Sequence, residues 1–422
     1  MATIYYSLYD RMLSKGNLYQ GYLGVKKAKG SAGIDRQTIA DFEENLEANL
    51  SALAQELRDK SYQPQPVKRQ EIPKPGGGIR KLGIPAVRDR IVQQALLNIL
   101  QPIYDPDFHP SSYGYRPGRS CHQAIAKATL FLRKYGLRWV VDMDLSKCFD
   151  TLDHELIIQA LRKRIVDGSI LKLVRKFLES GVMEKREWQA TTVGSPQGGV
   201  ISPLLANIYL DAFDQEMQRR GHRIVRYADD ILILTRTKKA AENVMEQAGT
   251  YLEGPLKLIV NKEKTHIVHV SEGVKYLGVV ITSQYTAIQE KKLQAFKEKV
   301  RKITRRNSPV NLEQLIKELN PLCRGFANYF RIANCKRRFR ELMQWIRRRL
   351  RAKQMTLWKK AGKLHRVLRQ QGYRGDFKAI KMGSWRNAAC QLAHMALPNK
   401  DFEELGLFSM DKVETGISVP LP

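Results

Sequence analysis

Residues 223–235 read RIVRYADDILILT, and two adjacent carboxylates, Asp229 and Asp230, lie in the middle of this otherwise apolar stretch. The β-branched and large apolar residues around the pair predict two short strands joined by a tight turn. A buried, ionised carboxylate without a partner is strongly destabilising. The pair is therefore either a solvated hairpin tip or one part of a site in which other groups offset its charge.

A second acidic strand, WVVDMDLSKCFD at residues 139–150, favours the site. Asp142 and Asp144 alternate with Val141 and Met143, so both acids point to one face of the strand. If this strand lies beside the hairpin, three or four carboxylates converge. Hard divalent cations such as Mg²⁺ are the usual partners of such a cluster, and two ions about 3.5–4 Å apart serve in-line phosphoryl transfer. Asp142 itself is more simply explained as a hydrogen-bonding acid at a strand end.

Composition places the chain among globular proteins with a polyanionic partner. The 422 residues are 43 % hydrophobic, carry a net charge of +30 and have a pI near 9.9. We expect two to four domains. The sequence has neither a membrane-spanning apolar run nor a secretory signal at its start, so we expect a cytoplasmic protein without a membrane partner. The five cysteines form no Cys-x-x-Cys pair, which predicts reduced thiols rather than a zinc site or a disulfide scaffold.

The positive charge is concentrated in one segment. Residues 291–370 contain 25 Lys and Arg against 4 Glu and no Asp, a net of 25 − 4 = +21. Within it, RRFRELMQWIRRRLRAK has apolar residues at helical spacing, which predicts a helix with one core face and one basic face. Nucleic acid fits this face better than anionic lipid, because no aromatic anchors flank it. We expect RNA contacts from Arg347, Arg348, Arg349 and Arg351.

The remaining pattern indicates a mixed α/β part followed by a basic α-helical part, with a boundary near residue 285. The first fifty residues read as helices interrupted at 29–35, and EIPKPGGGIRKLGIP, residues 71–85, reads as a hairpin around its glycines. A helix follows Pro203, and another covers about 238–252. After Lys291 the chain reads as helical to about 372, and the tail is mixed.

Several segments, in order, resemble the motifs of reverse transcriptases, and more specifically those of bacterial group II intron-encoded reverse transcriptase/maturases. The palm segments are DMDLSKCFD (142–150), SPQGGVISPLLANIYL (195–210), YADD (227–230), LKLIVNKEKT (256–265) and KYLGVVI (275–281). IPKPGGGIRKLGIP and YGYRPGRSCHQA resemble the fingers motifs, and NPLCRGFANYF (320–330) resembles a thumb or maturase segment. The Cys- and His-containing nuclease domain of many members has no counterpart, as in the compact class C members.

The resemblance implies an α+β right-hand polymerase fold: fingers, a palm with an antiparallel sheet and helices, then an all-α basic thumb/maturase domain. The expected divisions are an N-terminal extension and start of the fingers (1–60), fingers and palm (61–285), the thumb/maturase or X domain (286–372) and a small DNA-binding appendage (373–422).

The resemblance also implies the site residues. Asp144, Asp229 and Asp230 match the metal-binding catalytic triad, which would hold two Mg²⁺ ions with Mn²⁺ as a substitute. Phe149 matches the position under the incoming sugar, where a ring excludes a 2′-hydroxyl. Gln197 matches a contact to nucleotide and template. Lys264 matches a lysine proposed to protonate pyrophosphate, although a solvated surface lysine is the alternative.

The hairpin predicted at residues 71–85 offers two further cationic side chains. Lys74 and Arg80 flank the triple-glycine turn, six positions apart, and are placed to hold a triphosphate between them.

The expected function is RNA-directed DNA polymerisation together with binding of the chain's own group II intron RNA, for splicing and retromobility in a bacterial cytoplasm. The expected partners are intron RNA, an RNA template with a DNA or RNA primer, target DNA and deoxynucleotides. Three alternatives stay open: a splicing-only RNA-binding maturase, a host-domesticated reverse transcriptase in defence or repair, and an RNA-dependent RNA polymerase. The intact triad opposes the first of these, and Phe149 opposes the last.

Overall fold

The computed structural model describes residues 3–73, 77–184, 187–189, 193–194 and 198–421. The chain forms two compact units, the first ending at His269 and the second covering Val270–Leu421. The first unit combines two sheets with eleven described helices, and the second combines a small sheet with six.

The helices of the first unit are Tyr9–Met12 (α1), Lys15–Ala28 (α2), Ile39–Glu44 (α3), Leu46–Arg58 (α4), Val87–Tyr104 (α5), Cys121–Arg133 (α6), Cys148–Thr151 (α7), His154–Arg162 (α8), Gly168–Glu179 (α9), Ser202–Arg219 (α10) and Lys238–Glu253 (α11). Its strands are Val67–Pro73 (β1), Ile79–Ile84 (β2), Trp139–Met143 (β3), Val182–Glu184 (β4), Glu187–Gln189 (β5), Arg223–Tyr227 (β6), Asp230–Thr235 (β7) and His266–His269 (β8).

A four-stranded sheet in the order β6-β7-β3-β8 is the centre of the first unit, and every neighbouring pair in it is antiparallel. Strand β7 is buried from Ile231 to Thr235, because α10 and α11 pack on the sheet and cover its apolar residues. Residues of β3, β7, α5, α8 and α10 share one continuous hydrophobic core. The prediction of an antiparallel sheet with packed helices is confirmed.

The second sheet has the order β2-β1-β4-β5, and β1 and β2 pair antiparallel from Lys68 opposite Ile84 to Pro73 opposite Ile79. The hairpin expected around the glycines is therefore present. Its tip, including Lys74, lies outside the described residues. Most of the hairpin is exposed, and only Val67 and Gly83 among its strand residues are buried.

The second unit begins with a small antiparallel sheet and continues as helices. The strands are Val274–Tyr276 (β9), Val279–Ile281 (β10) and Thr286–Ile288 (β11), and the helices are Glu290–Ile303 (α12), Leu312–Phe330 (α13), Lys336–Trp358 (α14), Ala361–Gln370 (α15), Gln391–Ala396 (α16) and Asn399–Glu404 (α17). The two compact units divide at 269/270, because the three strands bond within the second unit. For example, the amide of Asn334 donates to the Thr286 carbonyl over 2.7 Å. The functional divisions expected from the sequence stay a prediction.

The C-terminal segment from 373 packs within the second unit. Ala388, Ala393 and Ala396 share a small buried core with Met355 and Leu364 of α14 and α15. The end of the segment is also held, since the amide of Gly416 donates to the Arg331 carbonyl over 2.8 Å. This segment is thus part of the helical unit in the structure.

The five cysteines carry free thiols, and Cys148, Cys323 and Cys335 are buried. Across the part of the chain that the structure describes, no helix combines the length and the apolar composition needed to cross a membrane.

Candidate active site

The three acids of the predicted triad meet where β3 ends and β7 begins. In the antiparallel pair, Met143 lies opposite Ile231, so the next residue along the chain, Asp144, continues toward Asp230. Asp230 in turn pairs with Tyr227 across a two-residue turn, Ala228–Asp229. The structure therefore brings Asp144, Asp229 and Asp230 to one end of the sheet.

The turn that carries Asp229 is tightly constrained. Ala228 has a φ of 57°, in the left-handed region that residues with a side chain adopt at an energetic cost. Gly114 lies directly against this turn, and a β-carbon on it would come 2.2 Å from the Ala228 amide nitrogen. Glycine at position 114 therefore lets the YGYRP segment pack against the acidic turn.

The carboxylates at this end of the sheet have raised pKa values. Burial raises the pKa of Asp229, and the negative charge of Asp144 raises it further. Asp230 is exposed as a residue, but the protein around its carboxyl group partly shields that group from water. This shielding, together with the negative charges of Asp229, Asp142 and Asp144, raises the pKa of Asp230 to about 7. Burial likewise raises the pKa of Asp142 to about 6. This end of the sheet therefore needs positive charge to keep its acids ionised.

Two of the predicted cations lie near the acids. The Lys264 ammonium group donates to Asp144 Oδ2 over 3.2 Å, and both side chains are partly exposed. The positive charge of Arg80, on β2, lowers the pKa of Asp229, which places its guanidinium near the same turn. The exposed Lys264 thus lies beside the triad rather than on an unrelated surface.

The segment that carries Lys264 is fixed to the end of β3. The amide of Asn261 donates to the Asp144 carbonyl over 2.8 Å, and the amide of Asp144 donates to the Thr265 hydroxyl over 3.3 Å. Leu145 forms an isolated bridge with Val260. Contacts to its main chain therefore hold Asp144 on the side of β3 that faces away from β7.

Phe149 lies on α7, one turn after the end of β3, and its exposed fraction is 7 %. Its ring meets the Tyr115 ring edge to face, with centroids 6.3 Å apart. The charges of Asp229 and Asp230 raise the pKa of Tyr115, after the larger effect of burial, so Tyr115 is close to the acids. Phe149 thus belongs to the core and also borders the site.

Gln197 and its neighbours 195 and 196 lie outside the described residues, but the chain on both sides is anchored. The amide of Gly194 donates to the Leu152 carbonyl over 2.8 Å. A β-carbon on Gly198 would come 2.3 Å from the carbonyl oxygen of Gly83 on β2. The side-chain oxygen of Gln93, on α5, accepts from the amide of Val200 over 2.7 Å.

Sequence reasoning missed Tyr115 and Gln93. Tyr115 stands in the YGYRPG motif, has a φ of 58° and is 49 % exposed, which is unusual for an aromatic side chain. The motif could have drawn attention to it, but its backbone conformation has no sequence signal. Gln93 is one of three buried polar residues of α5, with Asp89 and Arg90. It directly follows the apolar residues Ile91 and Val92, and a polar residue at such a position is a usable signal.

The acids suit a divalent cation in chemistry, although they do not form a closed cage. Among the described residues, no three His, Cys, Asp or Glu side chains come together closely enough to hold an ion alone. Mg²⁺ fits such an open, oxygen-only arrangement, because it keeps several waters and commonly binds one or two carboxylates together with substrate phosphates. The raised pKa values of Asp229 and Asp230 agree with a site at which a bound cation would offset negative charge.

The structure corrects the assignment of Arg347 and Arg351 to the RNA surface. Arg347 is 7 % exposed in its side chain and pairs with Asp411 over 3.1 Å. Arg351 is 2 % exposed and donates to the Leu397 carbonyl over 2.8 Å. Both guanidinium groups hold the C-terminal segment on α14, so neither is presented to RNA.

Arg348 and Arg349 are half-buried and also make intramolecular contacts. Arg348 donates to the Trp385 carbonyl over 3.0 Å and lies over the Trp385 ring. Arg349 donates to the Thr304 hydroxyl over 2.5 Å. Their assignment to RNA stays a prediction. The exposed positive charge of α14 lies nearer its start, at Lys336, Arg337, Arg338 and Arg340.

Two family models match the chain. The model described as "Reverse transcriptase (RNA-dependent DNA polymerase)" matches residues 72–281, which include the whole acidic site. The model described as "Group II intron, maturase-specific domain" matches residues 293–372, which cover α13, α14 and α15. Neither matched range is a nuclease domain.

The curated relatives agree with these matches. Protein YkfC of Escherichia coli (strain K12) is 39 % identical, over 60 % of this chain and 76 % of the relative. The group II intron-encoded protein LtrA of Lactococcus lactis subsp. cremoris is 31 % identical, over 65 % of this chain and 56 % of LtrA, so the chain spans about half of that relative.

The chain has only weak similarity to two solved structures. Apo telomerase from Candida tropicalis has a TM-score of 0.45 and 13 % identity over 62 % of this chain and 53 % of that one. The partial Cas6-RT-Cas1–Cas2 complex has a TM-score of 0.39 and 24 % identity over 60 % of this chain and 44 % of that one. Members of the reverse transcriptase fold generally use divalent metal ions. Together, the two matched domains and the shared identity with YkfC show that the chain belongs to the group II intron-encoded reverse transcriptase/maturase family, whose enzymes are RNA-directed DNA polymerases.

Proposed function

We propose that the chain copies RNA into cDNA at Asp144, Asp229 and Asp230, with two Mg²⁺ ions that Mn²⁺ can replace. The observation that carries the proposal is the meeting of these acids at the paired ends of β3 and β7, where partial shielding from water and mutual repulsion raise the pKa of Asp229 and Asp230. When bound there, the cations would offset this charge and stabilise the charge that develops in phosphoryl transfer.

The chain's own residues would then bind and orient the substrates. Arg80, together with Lys74, would bind the triphosphate of an incoming deoxynucleotide. Phe149 would lie under its sugar, and the loop with Gln197 would contact the nucleotide and the template. Lys264 would deliver a proton to the departing pyrophosphate, and its contact with Asp144 supports this by keeping the ammonium group beside the reacting phosphates.

We further propose that the chain binds its own group II intron RNA and assists splicing and retromobility. The match of residues 293–372 to a maturase-specific domain supports this. The exposed cations at the start of α14 suit the phosphate backbone of RNA. In this proposal residues 1–60 are the N-terminal extension, 61–285 the fingers and palm, 286–372 the thumb/maturase domain, and 373–422 contact the target DNA. The cell compartment would be the bacterial cytoplasm.

Changing Asp229 to Ala tests the polymerase site. We expect primer extension on an RNA template to fall by roughly several hundred-fold, the scale of losing one strong transition-state contact. Binding of RNA should persist, since the exposed cations of the second unit are unchanged. Asp59→Ala, which removes an exposed acid after α4, is the matched control and should extend normally. Near-normal extension by Asp229→Ala would contradict the assignment.

The alternatives predict different results in the same preparations. A splicing-only maturase would promote splicing of a group II precursor RNA and make no cDNA. A host-domesticated enzyme would make cDNA and leave splicing unchanged. The proposal requires both activities, and Asp229→Ala should abolish cDNA synthesis while splicing continues.

A further inference from the structure

Arg226 is a fully buried arginine three positions before Asp229. Its exposed fraction is 0 %, and so is that of its ion-pair partner Asp214 on α10. Nε donates to both carboxylate oxygens of Asp214, and Nη2 donates to Oδ2 over 2.6 Å. Nη1 donates to Asn207 Oδ1 over 3.0 Å and to the carbonyl oxygen of Ala228 over 2.9 Å. All three guanidinium nitrogens are therefore used inside the protein.

The same arginine joins three parts of the chain. Its main chain accepts from the amide of Tyr113 and donates to the Ser111 carbonyl, each over 2.9 Å. Asn207, which accepts from Arg226, also contacts this segment, because its side-chain amide nitrogen donates to the Gly114 carbonyl over 2.8 Å. The 111–114 segment, α10 and the turn at 228–229 are thereby held together around one cation.

A purely stabilising role does not account for this arrangement. The energetic cost of removing two charges from water offsets much of their attraction. Apolar residues of similar volume in the same place often stabilise the folded state equally well or better. A planar guanidinium, however, directs its donors at fixed angles, which an apolar side chain or a lysine cannot do. The arrangement is therefore best explained by the groups whose positions the guanidinium donors of Arg226 fix.

The contact to Ala228 is the one that reaches the active site. The Ala228 carbonyl belongs to the peptide bond that leads into Asp229, so its direction sets the plane from which the Asp229 side chain departs. Ala228 has a left-handed backbone conformation, φ 57°, that it would not prefer unaided. The Arg226 hydrogen bond and the packing of Gly114 both oppose relaxation of this turn.

We propose that Arg226 is a positioning residue that, with Asp214 and Asn207, fixes the turn carrying Asp229 in the orientation needed to bind a divalent cation. The inference rests on the proposed assignment of Asp229 as a metal ligand. Groups that orient ligands indirectly typically change metal affinity by about 10–100-fold when removed.

The test compares Arg226→Lys with Arg347→Lys in the full chain. The first change keeps the charge opposite Asp214 but loses the fork that reaches Ala228. Arg347 is a suitable control, because its side chain is 7 % exposed and pairs with Asp411 over 3.1 Å within the second unit, away from the segments that Arg226 joins. Mn²⁺ binding is measured directly by the electron paramagnetic resonance of free Mn²⁺, and each variant's melting temperature is recorded.

We expect both variants to melt earlier, and only Arg226→Lys to weaken Mn²⁺ binding, by about tenfold. In primer extension, Arg226→Lys should lower kcat and leave KM for the deoxynucleotide near its native value, because the turn carries a proposed metal ligand and none of the residues assigned to the base or sugar. Equal, unchanged Mn²⁺ affinities in the two variants would overturn the proposal. So would equal losses in both, which would indicate a general loss of structure.

Two additional variants keep the result decisive. Asn207→Ala leaves the ion pair intact and removes one support of Arg226, so it should weaken Mn²⁺ binding in the same direction even if Arg226→Lys does not fold; unchanged binding would overturn the proposal. Asp229→Ala separates the assignment of the metal site from the positioning role of Arg226. If it binds Mn²⁺ normally, the site assignment fails, whereas weakened binding in Asp229→Ala with native binding in Arg226→Lys refutes only the positioning role.

Discussion

Changing Phe149 to Ala should damage both the fold and the choice of sugar, and the two effects can be separated. The ring is 7 % exposed and packs in the main core, so its removal leaves a cavity. Core Phe→Ala changes typically cost about 3–5 kcal/mol. We expect the lower end, about 3 kcal/mol, because Tyr115, which borders the ring, is half exposed and can move toward the space. For a unit of this size, that corresponds to a fall of roughly 6–12 °C in melting temperature.

The effect on selectivity comes from the same missing volume. A phenyl ring under the sugar excludes a 2′-hydroxyl by contact, and each factor of ten in discrimination corresponds to about 1.4 kcal/mol. A rigid clash of about 3 kcal/mol would give roughly a hundredfold preference, much of which Ala would remove. We therefore expect the ratio of kcat/KM for dGTP over GTP to fall at least tenfold, to about a tenth of its native value or less.

Phe177→Ala is the matched control for this prediction. Phe177 is 4 % exposed, and its ring packs against that of Tyr62 at 6.0 Å, in another part of the same core. It should lower the melting temperature by a similar amount and leave the dGTP/GTP ratio unchanged. If Phe149→Ala also melts early with an unaltered ratio, the ring is ordinary core and the assignment to the sugar is refuted.

Three other predictions address the site and the basic unit. Because the pKa of Asp230 is raised to about 7 and a proton competes with a cation for it, the Mg²⁺ concentration for half-maximal extension should rise as pH falls below about 7. Asp142→Asn removes neighbouring charge and should move that rise to lower pH; a requirement independent of pH would contradict this. Gln93→Leu removes an acceptor for the loop after residue 197, so KM for deoxynucleotides should increase several-fold in steady-state assays, and an unchanged KM would count against it. Arg337→Gln should flatten the slope of log RNA affinity against log salt by roughly 0.7–0.9, whereas Arg347→Gln should lower the melting temperature and leave the slope unchanged; the reverse pattern would return the RNA surface to Arg347.

The sequence was sufficient to predict the strands of the central sheet and the acids at their ends, because the signals for both are local. The alternation around Asp142 and Asp144 and the short apolar runs around Asp229 specify strands by themselves. Their pairing then follows from the need to place the acids together. Apolar spacing also predicted the helix in residues 337–353, which lie within α14, but it did not predict where the helices of the basic segment begin and end.

The arginines of α14 show that a local sequence pattern does not predict whether a polar face is exposed. Helical periodicity assigns Arg347 and Arg351 to a polar face, and the natural expectation is that this face meets solvent. In the structure, residues about fifty to sixty positions later cover it: Asp411 pairs with Arg347, and the Leu397 carbonyl accepts from Arg351. Lys353 is likewise fully buried and donates to the carbonyls of Arg306 and Ser308. Periodicity tells which face is polar, but not which distant segment will cover it.

The pairing of β3 with β7 has a consequence for how damage to this enzyme would be observed. Side chains alternate between the two faces of a strand, so a shift of β3 by a single residue would turn Asp144 away from Asp229 and move every other side chain of the strand to the opposite face of the sheet. No intermediate register exists in which the acids are partly aligned. A substitution that loosens this pairing should therefore divide the preparation into competent and inert molecules, and the competent ones should turn over at the native rate. Counting active molecules by the amplitude of a single-turnover burst, rather than comparing average rates, is the measurement that would reveal it.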